Sequence, residues 1–126
     1  MRLFTPIISV PPRFGGDGTD GDSDQLVESR TVIRGHTTRL QCPAHAIPPP
    51  EIVWYKNGDE LVDEGTDSRI RVLDDGKELE ITRAEVDDTA RYTCVARNLA
   101  GENEKSYDLD VYGKSMNILL LDLFNY

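Results

Sequence analysis

A chain of 126 residues with 38% hydrophobic content has material for one core and little for a second. Its 23 acidic residues outnumber its 14 basic ones, and the resulting net charge of −9 opposes docking on nucleic-acid phosphates or on an anionic membrane surface. The two cysteines, Cys42 and Cys94, are too few for a disulfide-dense miniprotein or a four-ligand zinc site.

Residues 1–10 carry Arg2 and several apolar side chains, but Pro6 interrupts the run and no small-residue cleavage site follows. They read as the end of a preceding repeat or a flexible lead, joined through a short, stiff Pro11-Pro12 to a domain spanning 11–113. Residues 15–24, Gly-Gly-Asp-Gly-Thr-Asp-Gly-Asp-Ser-Asp, lack apolar side chains and read as an acidic loop. From about Glu28 to Val111, short apolar alternations replace any helical period, so the domain reads as all-β. Thr38, Leu40 and Cys42 share one strand face, as do Ile52 and Trp54, with Val72 inward on the strand that follows. Leu79 and Ile81 alternate next, then Tyr92, Cys94 and Ala96, and last Tyr107, Leu109 and Val111. Asn57-Gly58, Asp75-Gly76 and Ala100-Gly101 supply residues able to take positive φ at tight turns. Strands covered on one side only are satisfied by two antiparallel sheets packed face to face. In the tail 114–126, the apolar run Met116–Phe124 is too short to span a bilayer, and Asp122 breaks it. Two readings of that tail stand, an unpacked terminus or an extra strand that binds a partner.

One bridge is the economical reading of Cys42 and Cys94. It would close a loop of roughly 50 residues, worth about 4 kcal/mol in the chain-entropy account, and it points to an oxidising compartment. Two buried thiols at the same positions are the cytosolic alternative.

The ordered set Cys42, Pro48, Pro50, Ile52 and Trp54, the hairpin Trp54-Tyr55-Lys56-Asn57-Gly58 with Leu61, and then Leu79, Ile81, Ala84, Asp88, Ala90, Tyr92, Cys94, Ala96, Asn98 and Gly101 resembles the intermediate-set immunoglobulin domain. The resemblance covers about Pro11 to Tyr112. It implies an immunoglobulin-like β-sandwich with Greek-key connections, whose sheets are pinned by a Cys42–Cys94 bridge with Trp54 against it. It further implies a tyrosine corner at Tyr92, a core that includes Leu40, Leu79 and Ile81, and an Arg69–Asp88 salt bridge closing one end. Arg71 is the fallback partner, and a partly exposed pair of this kind is worth no more than roughly 1 kcal/mol. Ala46 departs from the family's usual glycine, and the insertion 15–24 lengthens the join between the two halves of the first strand. Tyr107-Asp108-Leu109-Asp110-Val111, with Asn98-Leu99-Ala100-Gly101, is similar to the immunoglobulin repeats of the hemicentins, long matrix proteins that connect cells and basement membranes.

Sharper chemistry finds little support. Asp20, Asp22 and Asp24 have the alternate spacing of a calcium loop, but Gln25 and Thr31 stand where glycine and glutamate are needed, so a solvated acidic loop is expected. His36 and His45 have no cysteine or histidine at metal spacing and read as surface residues. Neither a nucleophile elbow nor a phosphate-binding glycine loop nor a zinc-protease helix motif occurs. Pro48-Pro49-Pro50 fits a rigid loop better than a proline-rich ligand, and no N-glycosylation acceptor is present. No catalytic residue, metal site or cofactor is expected, nor any membrane span. The expected role is a non-catalytic adhesion or matrix module acting in a tandem array, extracellular as part of a longer parent chain. Expected partners are neighbouring repeats and other matrix or cell-surface proteins, including copies of itself. An intracellular spacer of a giant muscle protein and a ligand-binding repeat of a neuronal or growth-factor receptor are the alternatives, since fold alone does not choose among them.

Overall fold

The computed structural model describes residues 9–14, 27–62 and 68–113. The acidic loop 15–24, residues 1–8 of the lead and the tail 114–126 lie outside the described residues. Ten strands follow in order: β1 (Val10–Phe14), β2 (Val27–Ile33), β3 (Thr38–Gln41), β4 (Ala44–Ile47), β5 (Glu51–Lys56), β6 (Asp59–Glu60), β7 (Ile70–Leu73), β8 (Glu78–Ile81), β9 (Ala90–Asn98) and β10 (Gly101–Tyr112). A five-stranded sheet has the order β2-β10-β9-β5-β6, and a three-stranded sheet the order β3-β8-β7. The remaining pair, β1-β4, extends the fold where the chain of β3 passes through Cys42 and Pro43 into β4.

Among the described residues, the expected antiparallel pairing holds at every strand pair but one. The first strand is divided, and while β1 pairs antiparallel with β4, β2 pairs parallel with β10 from Val27 opposite Ser106 to Ile33 opposite Tyr112. A parallel neighbour needs a long connection, and nearly the whole domain separates β2 from β10. In β1 the register shifts between Val10 and Arg13, across Pro11 and Pro12, which have no N–H to give a ladder.

Alternation places the core. Leu40, Cys42, Trp54, Leu79, Ile81, Ala84, Tyr92, Cys94, Tyr107, Leu109 and Val111 form one buried cluster, with Phe14, Val32, Ile52, Leu61, Ile70, Val72 and Ala90 packed on its margin. Burying a Leu or Ile side chain of this kind contributes about 1.5–3 kcal/mol, so these few positions dominate the apolar driving force. Between β5 and β6, Asn57 (φ 51°) and Gly58 (φ 87°) form a two-residue turn with both positions left-handed, the geometry that matches the twist of the flanking strands. Asn57 is fastened across the sheet: its N–H donates to Arg91 O (2.8 Å), and its Oδ1 accepts from the Arg91 N–H (2.9 Å).

Buried frame and candidate interaction surfaces

The residues that carried the sequence reading converge at the centre. Cys42 and Cys94 form a disulfide with Cα atoms 6.2 Å apart. Trp54 stands directly opposite Cys94 in the β5–β9 ladder, and its Nε1–H donates to Gly76 O at 2.8 Å. That bond explains the tight loop after β7, where Asp74, Asp75 and Gly76 are all left-handed (φ 57°, 56° and 95°) and bring a carbonyl to the indole. Tyr92 O–H donates to the Asp88 carbonyl at 2.6 Å. Burial comes first among the causes that push the Tyr92 phenol far above its ordinary value, so it stays protonated and keeps donating.

Arg69 and Asp88 meet in a two-point contact, Nη1 to Oδ2 at 2.8 Å and Nη2 to Oδ1 at 3.2 Å. Asp88 Oδ2 also accepts the Glu85 N–H at 2.8 Å. The pair is deeper than a rim ion pair, because only 3% of the Asp88 side chain is exposed against 26% for Arg69. Removing Arg69 would strand that buried carboxylate, and the penalty for doing so is several-fold above the roughly 1 kcal/mol of an exposed pair. Arg71, the fallback partner, instead lies 4.0 Å from Glu80 on the three-stranded sheet.

Several polar contacts had no signal in the sequence. Arg39 holds Glu80 (2.8 Å) and Glu78 (3.2 Å), and Glu80 is buried beneath its cross-strand neighbours although it lies on the face opposite Leu79 and Ile81. Glu28 binds Arg30 at 3.0 Å and Lys105 at 3.2 Å, and both cations lie 5.1 Å from the Tyr107 ring. Tyr107 in turn donates to Gln41 O at 2.6 Å. Asn98 gathers one end of the molecule: its Oδ1 accepts from the N–H groups of Ala100 and Gly101, and its Nδ2 donates to Val10 O and Pro48 O. The family pattern Asn98-x-x-Gly101 was the only available hint of that role.

Among the described residues, two shallow depressions stand out. One of ≈ 470 Å³ is lined by Thr31, Val32, Ile33, His36, Thr37 and Tyr112. The other, of ≈ 310 Å³, lies among Arg13, His45, Ile47, Pro49, Pro50 and Lys77. Both histidines are thus exposed residues of surface hollows. Among the described residues, no group of three or more His, Cys, Asp or Glu side chains is placed to hold a metal. The spaced Asp20, Asp22 and Asp24 lie outside the described residues.

Divided first strand, bridged sheets, indole at the bridge and tyrosine corner together define an immunoglobulin-like sandwich. The chain belongs to the immunoglobulin I-set family, whose domain model matches residues 23–111. It is 44% identical to hemicentin-1 of Homo sapiens over 107 residues, covering 83% of this chain and 2% of that protein. Hemicentin-2 of Mus musculus is 41% identical over 91 residues, covering 72% of this chain and 2% of its own length. Neural cell adhesion molecule 1 of Bos taurus is 32% identical over 108 residues, with 86% and 12% covered. Among solved structures, extracellular domains 3-5 of Drosophila OTK superpose with a TM-score of 0.65 at 31% identity, over 82% of this chain and 32% of that one. A titin domain gives 0.65 at 28% identity, over 82% and 98%. The chain spans about 2% of the hemicentins it matches.

Proposed function

We propose that the chain is a non-catalytic adhesion or matrix module, extracellular and working as one repeat of a tandem array. The observation that carries this reading is the 44% identity to hemicentin-1 across 83% of a chain that spans 2% of that protein. The bridge between Cys42 and Cys94 supports an oxidising compartment, and the similarity to neural cell adhesion molecule 1 supports the cell surface. Division of the chain into a lead of residues 1–10, a domain of 11–113 and a tail of 114–126 belongs to the same proposal. A single module of this kind binds modestly and gains strength from its neighbours in the array. The titin likeness favours a second reading, an intracellular spacer, but it rests on shape at 28% identity. Alkylation of free thiols in protein from its native source, read by mass, separates the two. Bridged cysteines are expected; two alkylated thiols would overturn the extracellular assignment in favour of the spacer.

A further inference from the structure

The five-stranded sheet ends in β2, which pairs with β10 on one side and, among the described residues, with no strand on the other. At the opposite edge β6 has only two residues, too short to template a partner, whereas β2 has seven. Exposed edges are ordinarily blunted by lysine, proline, a bulge or inward-pointing charges. β2 contains neither lysine nor proline, its pairing with β10 runs through seven positions without a register shift, and its two inward-facing charges, Glu28 and Arg30, neutralise each other as a pair. Its solvent face, Val27, Ser29, Thr31 and Ile33, is uncharged and rich in β-branched side chains, which suit a strand partner. On the other face, Glu28 and Arg30 form a 3.0 Å ion pair with side chains 42% and 34% exposed, within reach of a neighbour.

We propose that β2 is a homophilic edge: a second copy of this chain adds to it antiparallel, joining two five-stranded sheets into one. Charge selects the register. With a two-fold axis at Ser29, Glu28 of each copy faces Arg30 of the other, Val27 faces Thr31, and Ser29 faces its counterpart. Moving the axis to Arg30 sets like charges opposite one another, which is unfavourable. The sequence Glu28-Ser29-Arg30 is thus self-complementary in one antiparallel arrangement. A contact confined to one strand edge falls below the roughly 1,000 Å² of a stable interface, so isolated domains associate weakly and repeated arrays far more strongly. The inference deepens the reading of the chain as a protein-binding module and rests on it.

Sedimentation equilibrium on the full chain over rising concentration tests the edge. The average mass is expected to climb from 14.1 kDa toward the dimer. Glu28→Arg and Arg30→Glu are each expected to raise the half-association concentration at least about tenfold, because each sets like charges opposite one another twice. A mixture of these two variants is expected to associate again, since one then presents two cations and the other two carboxylates. Ser29→Lys, on the solvent-facing side where folding does not depend on it, is expected to abolish association and keeps the test decisive if a charge reversal fails to fold. A wild type that stays monomeric, association indifferent to all three substitutions, or a mixture that stays apart would overturn the edge. So would association lost only when residues 114–126 are removed. A failed edge leaves the module reading intact, because the thiol experiment tests that reading separately.

Discussion

Asp88 shows how much one side chain can organise. Its two oxygens take three hydrogen bonds, from two Arg69 nitrogens and the Glu85 N–H, and its carbonyl takes the Tyr92 hydroxyl. Burial works to raise its pKa, but the bonds from Arg69 and Glu85 and the charges of Arg69 and Lys56 outweigh it and hold the carboxyl below its ordinary value. A folded pKa below the unfolded one stabilises the fold fully above the unfolded value, and that contribution is lost as pH falls through the folded value. The melting temperature is therefore expected to drop on acidification below about pH 4, and Asp88→Asn is expected to flatten that limb. At neutral pH the same substitution is expected to cost about 2–4 kcal/mol in urea denaturation, because the Arg69 guanidinium and the Glu85 N–H lose a charged acceptor that is itself buried. A loss under about 1 kcal/mol would return the pair to the class of surface ion pairs.

At the scale of elements, two glycines that look alike in the sequence behave differently. Gly58 and Gly76 both follow a turn residue and both have positive φ (87° and 95°). A Cβ at Gly58 meets nothing within 4 Å, whereas at Gly76 it would stand 2.6 Å from Ile52 Cβ and 3.1 Å from Ile52 O. Gly58→Ala is expected to cost about 1 kcal/mol, the ordinary penalty of a left-handed alanine. Gly76→Ala is expected to cost at least about 3 kcal/mol, since the loop must withdraw from β5 and take the Trp54 hydrogen bond with it. Parallel denaturant titrations measure the difference, and equal losses would show that the loop moves freely. The sequence made both turns legible through Asn57-Gly58 and Asp75-Gly76, because positive φ is a local demand. The close approach to Ile52 was hidden because it is made across the fold. The same division runs through the strands. Leu79 and Ile81 announced β8 by alternation, but the parallel pairing of β2 with β10 was invisible, since alternation says which side chains turn inward and nothing about a neighbour's direction. The burial of Glu80 was hidden for a related reason: its cover, Arg39, comes from 41 residues away.

For the whole molecule, the central question is what joins the layers. Cys42 lies where β3 passes toward β4, Cys94 sits within β9 of the five-stranded sheet, and the bridge spans a sequence separation of 52 residues. A loop of that length carries about 4 kcal/mol in the chain-entropy account, against a total of about 5–15 kcal/mol for a domain of this kind. The double variant Cys42→Ala, Cys94→Ala is therefore expected to remain folded with a clearly lower guanidinium midpoint, followed by Trp54 emission. Its transition should also steepen, because an unfolded chain freed of the cross-link exposes more surface. These two readouts separate the bridge's action on the unfolded chain from its packing against Trp54. Loss of packing alone would lower the midpoint with an unchanged slope. A midpoint unaffected by removing both thiols would assign the joining of the layers to the apolar cluster of Leu40, Leu79, Ile81, Tyr107 and Leu109, with the disulfide only a passenger within it.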